Sequence, residues 1–501
     1  MKRNMITLAA GAAAVCLMTT SVNAEETKPK RQLKNNMIVK TNITPKSVDN
    51  LSDMFKEGVF YGRLRMNSFK WDWANDDTSN LDNHAFGLGG SMRYKTASYM
   101  GVSAMAGLYY TDSPFESLRM SQADIGSTKA GKDTFSRYNV KNSGNYSMAV
   151  LAEANLQYKI SNTKIIAGRQ IFESVITRSN DTKMIPNTFE GTVVEMKEIP
   201  NTRIRGAYFT AQKLRDHTEF HDVITFKDSA GDSWGNNDDS AVHKGLSFNN
   251  FTAAGDDTAH ELIVVDARNK SIKGLKLDLT YAAVPGVVSS IIGEVNYKIA
   301  LPNGYSLTPG VRYMHQMDNG GGDVGGATLK GGLGLDKAAV AGNLGYTDRF
   351  TLDASLVMAR LTLRKGPLKA QIGYSAVGDN ADIVAPWRGF PTGGYTRAMA
   401  QYNWYANTKT YAAEVNYDFG KAGLVPGFSA LFRFAMQDFD EAKQAAGVQA
   451  DSNILHMDFR ESFTPDLYAK IRVGLVDAKD RESGVNKDSY NEYRFELNYL
   501  F

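Results

Sequence analysis

From residue 58 onward the chain is written in period two, with apolar and polar positions alternating through one stretch after another. Phe60, Gly62, Leu64 and Met66 alternate with Tyr61, Arg63, Arg65 and Asn67. Phe86, Leu88, Gly90, Met92 and Tyr94 alternate with Gly87, Gly89, Ser91, Arg93 and Lys95. Met148, Val150, Ala152, Ala154, Leu156 and Tyr158 read as one face of another strand, with Glu153, Asn155, Gln157 and Lys159 on the other. Successive side chains of a strand point to opposite faces, so each stretch predicts a strand with one apolar and one polar side. The stretches run for ~9–13 residues, the length of a tilted strand across a bilayer.

Carried along the chain, the pattern predicts strands over 58–73, 84–95, 99–112, 146–160, 163–174, 189–199, 201–213, 259–268, 273–284, 290–301, 304–317, 350–364, 366–377, 408–420, 426–439, 451–463, 466–478 and 489–501. That makes about eighteen, or sixteen if 189–199 and 259–268, the weakest patterns, are not strands. Short links (95–98, 161–162, 200–202, 269–272, 302–304, 365–367, 421–427, 464–466) take turns with long polar stretches, notably 113–145, 214–258, 318–348 and 378–407. An even strand count with short turns on one rim and long loops on the other is the layout of bacterial membrane barrels. The expected fold is therefore all-β: a closed antiparallel transmembrane β-barrel over 58–501.

A soluble sandwich also alternates, with its charges outside and its aromatics within. In lipid the same pattern is satisfied inside out, and closure leaves no backbone group unpaired. The final strand favours lipid, setting Tyr493, Phe495, Leu497, Tyr499 and Phe501 against Glu492, Arg494, Glu496 and Asn498. Trp71, Trp73, Tyr94, Tyr99, Tyr109, Tyr110, Tyr158 and Tyr417 fall near predicted strand ends, the interfacial depth that Tyr and Trp prefer.

The first residues read as an address. Lys2 and Arg3 precede an apolar stretch from Met5 to Met18, then Val22-Asn23-Ala24, so 1–24 is read as a signal peptide. Cys16 leaves a lipoprotein site as the alternative. Cleavage after Ala24 removes the only Cys, and with it any disulfide or thiolate metal site. Residues 25–57 form a leader, expected to be periplasmic, with a short helix capped by Ser47 and ended by Gly58. It is too short to be a globular plug filling a large barrel. Lys+Arg of 57 against Asp+Glu of 54 gives no sign of a nucleic-acid partner.

By alternation, Arg63, Arg65, Arg93, Arg169, Arg203, Arg205, Arg312, Arg360, Arg364, Arg433, Arg460, Arg472 and Arg494 are expected to face the lumen, with Lys95 and Lys159. Carboxylates on the same faces are fewer: Glu153, Asp278, Glu294, Glu414, Asp418, Asp458, Glu492 and Glu496. Acidic residues then concentrate in loops, as Asp216, Glu219, Asp222, Asp228, Asp232, Asp238 and Asp239 do, giving a basic wall below an acidic mouth. Arg suits bidentate contact with carboxylates, although lumen arginines also simply pair with neighbouring acids. The loop 175–188 is the candidate constriction, through Arg178, Asp181 and Lys183. The Gly-rich loop 318–348 is expected to be mobile.

No metal or cofactor site is expected. His217 and His221 have zinc spacing but no predicted helix, and Asp232 to Asp239 lacks an ordered calcium-loop pattern. No nucleophile elbow, Walker loop or dinucleotide fingerprint is present.

Ala167-Gly168-Arg169-Gln170, followed by Met184-Ile185-Pro186-Asn187-Thr188-Phe189-Glu190-Gly191, resembles the OprD-type porins of Gram-negative bacteria. In those proteins a similar passage leads out of an inward-folded loop. The major outer-membrane porins of the epsilon branch of the proteobacteria are an equally near match. The likeness covers most of the chain in layout but only about 160–215 in motif. It implies an eighteen-stranded, commonly trimeric barrel in the outer membrane, with a basic ladder guiding carboxylate-bearing solutes. The expected function is passive diffusion of small polar solutes, preferring anionic ones. The alternatives are a structural or adhesin barrel, whose lumen is filled, and an outer-membrane hydrolase.

Overall fold

The structure, a computed structural model, describes residues 31–34, 36–75, 81–226, 243–335, 342–399 and 402–501. The predicted signal peptide with Cys16 lies outside these residues, as do Asp228, Asp232, Asp238 and Asp239.

Eighteen long antiparallel strands close into one barrel among the described residues. They are β1 (Val59–Trp73), β2 (Asn83–Lys95), β3 (Val102–Asp112), β4 (Met148–Ile160), β5 (Thr163–Gln170), β6 (Thr188–Met196), β7 (Thr202–Lys213), β8 (Leu262–Asn269), β9 (Leu275–Val284), β10 (Val288–Tyr297), β11 (Ser306–Asp318), β12 (Ala354–Lys365), β13 (Leu368–Val377), β14 (Lys409–Asp418), β15 (Phe428–Asp438), β16 (Ser452–Ser462), β17 (Leu467–Ala478) and β18 (Tyr490–Leu500). Each strand pairs with its neighbours in sequence, and β18 returns to β1 with Tyr490 opposite Trp73 and Leu500 opposite Arg63. The Gly62 N–H donates to the Phe501 carbonyl at 2.9 Å and the Phe501 N–H donates back to the Gly62 carbonyl at 3.2 Å, extending the seam. The two weakest stretches are β6 and β8, so the count of eighteen holds over sixteen.

The outer face is apolar. Leu64, Leu156, Ile372 and Val415 point away from the barrel axis and are exposed on the free chain. Their partners in alternation, such as Arg63, Arg65, Asn155, Gln371 and Glu414, are covered inside. Both predicted faces of β18 have this arrangement.

In β4 the alternation slips. Gly107 pairs with Glu153 but Leu108 pairs with Leu151, which leaves Ala152 as an extra residue. A bulge of this kind reverses the facing of everything beyond it. Met148, Val150 and Ala152 therefore face inward, as do Glu153, Asn155 and Gln157, while Leu156 and Tyr158 face outward. The single uniform face expected for Met148 to Tyr158 is corrected accordingly. Two interfacial aromatics are corrected as well. Trp71 points inward and stacks on Tyr490 with ring centroids 3.6 Å apart, and the buried Tyr109 hydroxyl donates to Glu153 Oε2 at 2.9 Å.

In the leader, helix α1 (Leu51–Lys56) is capped by Asn50, whose side chain accepts from the Asp53 N–H at 2.9 Å. Ser47, the expected cap, is held extended instead, because Ser47 and Val48 pair in parallel with Ser98 and Tyr99. The glycine run after β11 is packed rather than free: Gly321, Gly322, Val324 and Gly325 are buried in a short helix, with Leu329 and Leu333 buried beside it.

Placing a cation on the outer face of β13 tests which side meets lipid. Ile372→Arg should destabilise the folded barrel by about 2–4 kcal/mol if position 372 lies near the bilayer midplane. Heat-modifiability on gels reads this directly. An unchanged transition would contradict the assigned facing.

Candidate functional site

The inner wall is built from clusters in which two cations share one carboxylate. Arg203 and Arg205 on β7 meet Asp266 on β8. Arg268 and Lys276 meet Asp278 on β9. Arg312 on β11 and Arg360 on β12 meet Glu294 on β10, with Arg312 Nε 2.7 Å and Arg360 Nη2 3.0 Å from its oxygens. Lys369 and Arg433 meet Glu414 on β14. Arg472 grips Asp458 with two bonds of 2.6 and 2.8 Å, and Arg460 shares that carboxylate at 3.1 Å. Arg65 and Lys470 meet Glu496 on β18. Arg93 pairs with Glu153, Arg494 with Glu492, and Arg364 stands exposed at the short-turn end of β12.

Arg169 is a correction. It shares the parity of Ile165 and Ala167 on β5 and therefore points outward, where it pairs with Glu190 at 2.8 Å and lies over the Phe220 ring. The strand's own alternation turns it out of the lumen, and its carboxylate partner sits directly opposite on the same face.

The loop 171–187 between β5 and β6 folds into the barrel. Asp181 accepts from Arg63 and from Arg65, the latter at 2.9 Å, and is 2% exposed. Burial pushes its carboxyl up, while Arg63 and then Arg65 draw it down. Lys183 is buried with its ammonium 4.1 Å from the Phe69 ring centre. Burial, then Arg494, hold that ammonium well below its ordinary range. Arg178 stays about half exposed beside Glu173 at 3.6 Å, the one of the three whose side chain remains open to the lumen.

A second inward loop, 378–408 between β13 and β14, carries functional groups that the alternation did not reveal. Its carbonyls at Pro391, Gly393 and Gly394 accept from Arg312 and Arg360, and its Arg397 carbonyl accepts from Arg433 at 2.7 Å. Tyr395 lies under both Arg312 and Arg360. The two loops join by a β-bridge between Thr177 and Arg388, flanked by the Gly389 N–H donating to the Ile176 carbonyl at 2.9 Å. The available signal was the apolar content of 383–405: Ile383, Val384, Trp387, Trp404 and Tyr405 are all buried, a composition unsuited to a loop in water. Arg268, Lys276, Lys369 and Lys470 were missed too, although their parity with Asp266, Asp278, Gln371 and Arg472 places them inside.

The expected acidic mouth is altered in part. Asp216 is fully buried, and Asp222 accepts from the His260 N–H at 2.6 Å. His217 and His221 contact each other, Nδ1 to Nε2, at 2.7 Å.

An inward-facing cationic wall, narrowed by two loops inside an apolar-skinned barrel, defines a channel of the outer membrane. The chain belongs to the OprD family of outer membrane porins, whose profile matches residues 122–501. Similar folds occur in Acinetobacter baumannii OccAB1 (17% identity, 89% of this chain and 97% of that one, TM-score 0.66) and in Pseudomonas aeruginosa OccK9, also called OpdG (15%, 89% and 99%, 0.66). Pseudomonas aeruginosa OpdK, solved with vanillate, is a third (12%, 89% and 99%, 0.64). No curated protein sequence matches the chain.

Two variants probe the loops. A Cβ at Gly389 would overlap the backbone of Ile176, so Gly389→Ala should part the two loops at a cost of about 1–3 kcal/mol. Single-channel conductance should rise, and an unchanged value would contradict the close approach. The second is Asp382, fully buried, which accepts from Leu329 N–H at 2.8 Å, Ala406 N–H at 2.7 Å and Tyr346 hydroxyl at 2.8 Å. Burial pushes its carboxyl up to about 6 from the ordinary 3.8. With the folded value above the unfolded one, its stabilising contribution is fully present below about pH 4 and is lost as pH rises through about 6. Asp382→Asn should flatten the slope of Tm against pH in that window, and a retained slope would contradict the assignment.

Proposed function

We propose that this porin favours small solutes bearing a carboxylate, which pass from cation to cation along the inner wall while the loops 171–187 and 378–408 set the size limit. The observation that carries the proposal is the sharing of Asp181, Asp266, Asp278, Glu294, Glu414, Asp458 and Glu496 by two cations each. Arg65 is common to Asp181 and Glu496, so these seven carboxylates meet thirteen Arg and Lys side chains, which together leave a positive surplus. A narrow passage with low-dielectric walls concentrates that field on a passing anion. Arg offers several donors in a planar fork; at Arg312 and Arg360 the loop carbonyls take those the carboxylate leaves, while the half-exposed Arg178 presents its guanidinium to a solute. Vanillate, a carboxylate, accompanies the OpdK structure, and the same class of solute suits the wall here. Assembly as a homotrimer belongs to the proposal, on the family's habit.

The filled lumen of an adhesin or structural barrel is the second reading, favoured by how far the loops reach inward. Single-channel recording separates the two, since a filled barrel does not conduct.

In a salt gradient of KCl the reversal potential should have the sign of chloride preference. Arg312→Gln with Arg360→Gln leaves Glu294 unshared, and should move that potential toward cation preference. A cation-selective parent channel, or a potential indifferent to the double variant, would contradict the proposal.

A further inference from the structure

The leader does not stay outside the barrel. Residues 31–33 and 39–41 pair as a small antiparallel hairpin, with Arg31 opposite Thr41 and Leu33 opposite Val39. A two-stranded hairpin is marginal in water by itself, so its place depends on what it touches. What it touches is the lumen. Arg63 Nη1 donates to the Met37 carbonyl at 2.7 Å, and Arg93 Nη1 donates to the Val39 carbonyl at 2.6 Å. Val39 is 3% exposed and packs with Tyr61 and Leu500 on the wall. Asn36 reaches the loop 171–187 itself, donating to Glu173 Oε2 at 2.6 Å.

We propose that this hairpin is an autoinhibitory plug, a competitive occupant of the short-turn end of the pore that anionic solutes displace. The proposal rests on the reading of the lumen as a solute path. Arg63 binds the hairpin and Asp181 together, so hairpin and constriction loop close the passage from opposite sides of one guanidinium.

The chemistry of displacement follows from the acceptors. Met37 and Val39 offer Arg63 and Arg93 neutral carbonyl oxygens, whereas a solute carboxylate offers charged ones. A carboxylate adds a full opposite charge to the guanidinium's own and can accept two parallel bonds from one fork, which a single carbonyl cannot. An arriving carboxylate therefore competes for the donors that hold the hairpin. The rest of the leader is moored to the short-turn rim, where Ala97 N–H donates to the Met54 carbonyl at 3.0 Å and Ser98 N–H to the Lys46 carbonyl at 3.3 Å. Release of the hairpin thus leaves it tethered for return.

The test is planar-bilayer recording of the full chain, of a deletion of residues 31–41, and of Val39→Arg, which sets a cation against Arg93 and expels the hairpin without shortening the chain. Both altered proteins should conduct about twofold more than the full chain in KCl. Replacing chloride by acetate should raise the open fraction of the full chain and leave the deletion unaffected. Equal conductance from all three overturns the plug while keeping the channel. If the deletion does not insert, Val39→Arg decides alone. Silence from all three overturns the channel reading and the plug with it.

Discussion

In hydrocarbon, every backbone N–H and carbonyl must find a partner within the protein, because water is absent to supply one. A sheet meets that demand only by closing, and here β18 closes on β1 through Tyr490 opposite Trp73 to Leu500 opposite Arg63. Once closed, alternation leaves each residue one of two solvents. Leu64, Leu156, Ile372 and Val415 go to lipid, and Arg63, Arg65, Arg312 and Arg433 go to the lumen.

Charges gathered in a lumen then organise what fills it. A guanidinium has five N–H groups, more than one carboxylate uses. Arg312 and Arg360 hold Glu294 and still donate to carbonyls of the loop 378–408. Arg433 does the same with Glu414 and Arg397. Arg63 binds Asp181 of one loop and Met37 of the leader. The wall thus recruits its own constriction through donors left over from its ion pairs.

Strand count and facing were largely legible because a strand's alternation is local. Arg63, Arg65 and Glu496 could be placed from their immediate neighbours, and β6 and β8 appeared despite weak patterns. The failures are non-local. Ala152 bulges because β3 and β4 shift register at Gly107, which no single segment announces. Arg169 is the exception, since its parity with the outward Ile165 and Ala167 is local, and Glu190 opposite on the same face completes its pairing. The bridge from Thr177 to Arg388 joins residues far apart in the chain, and only the backbone contact at Gly389 reveals it. The leader's entry likewise depends on Arg63 and Arg93 as donors, a tertiary fact with no trace in residues 31–41 themselves.

The claim beneath all of this is that neighbouring residues along one strand meet different solvents. Nitroxide labels placed singly at 491–499 on β18, in protein reconstituted in lipid, report it most directly. Oxygen should relax labels at Tyr493, Phe495 and Leu497 more than those at Glu492, Arg494 and Glu496, which the loops and leader cover inside the barrel. An oxygen profile that is flat along the strand, or a maximum at the charged positions, would contradict the account.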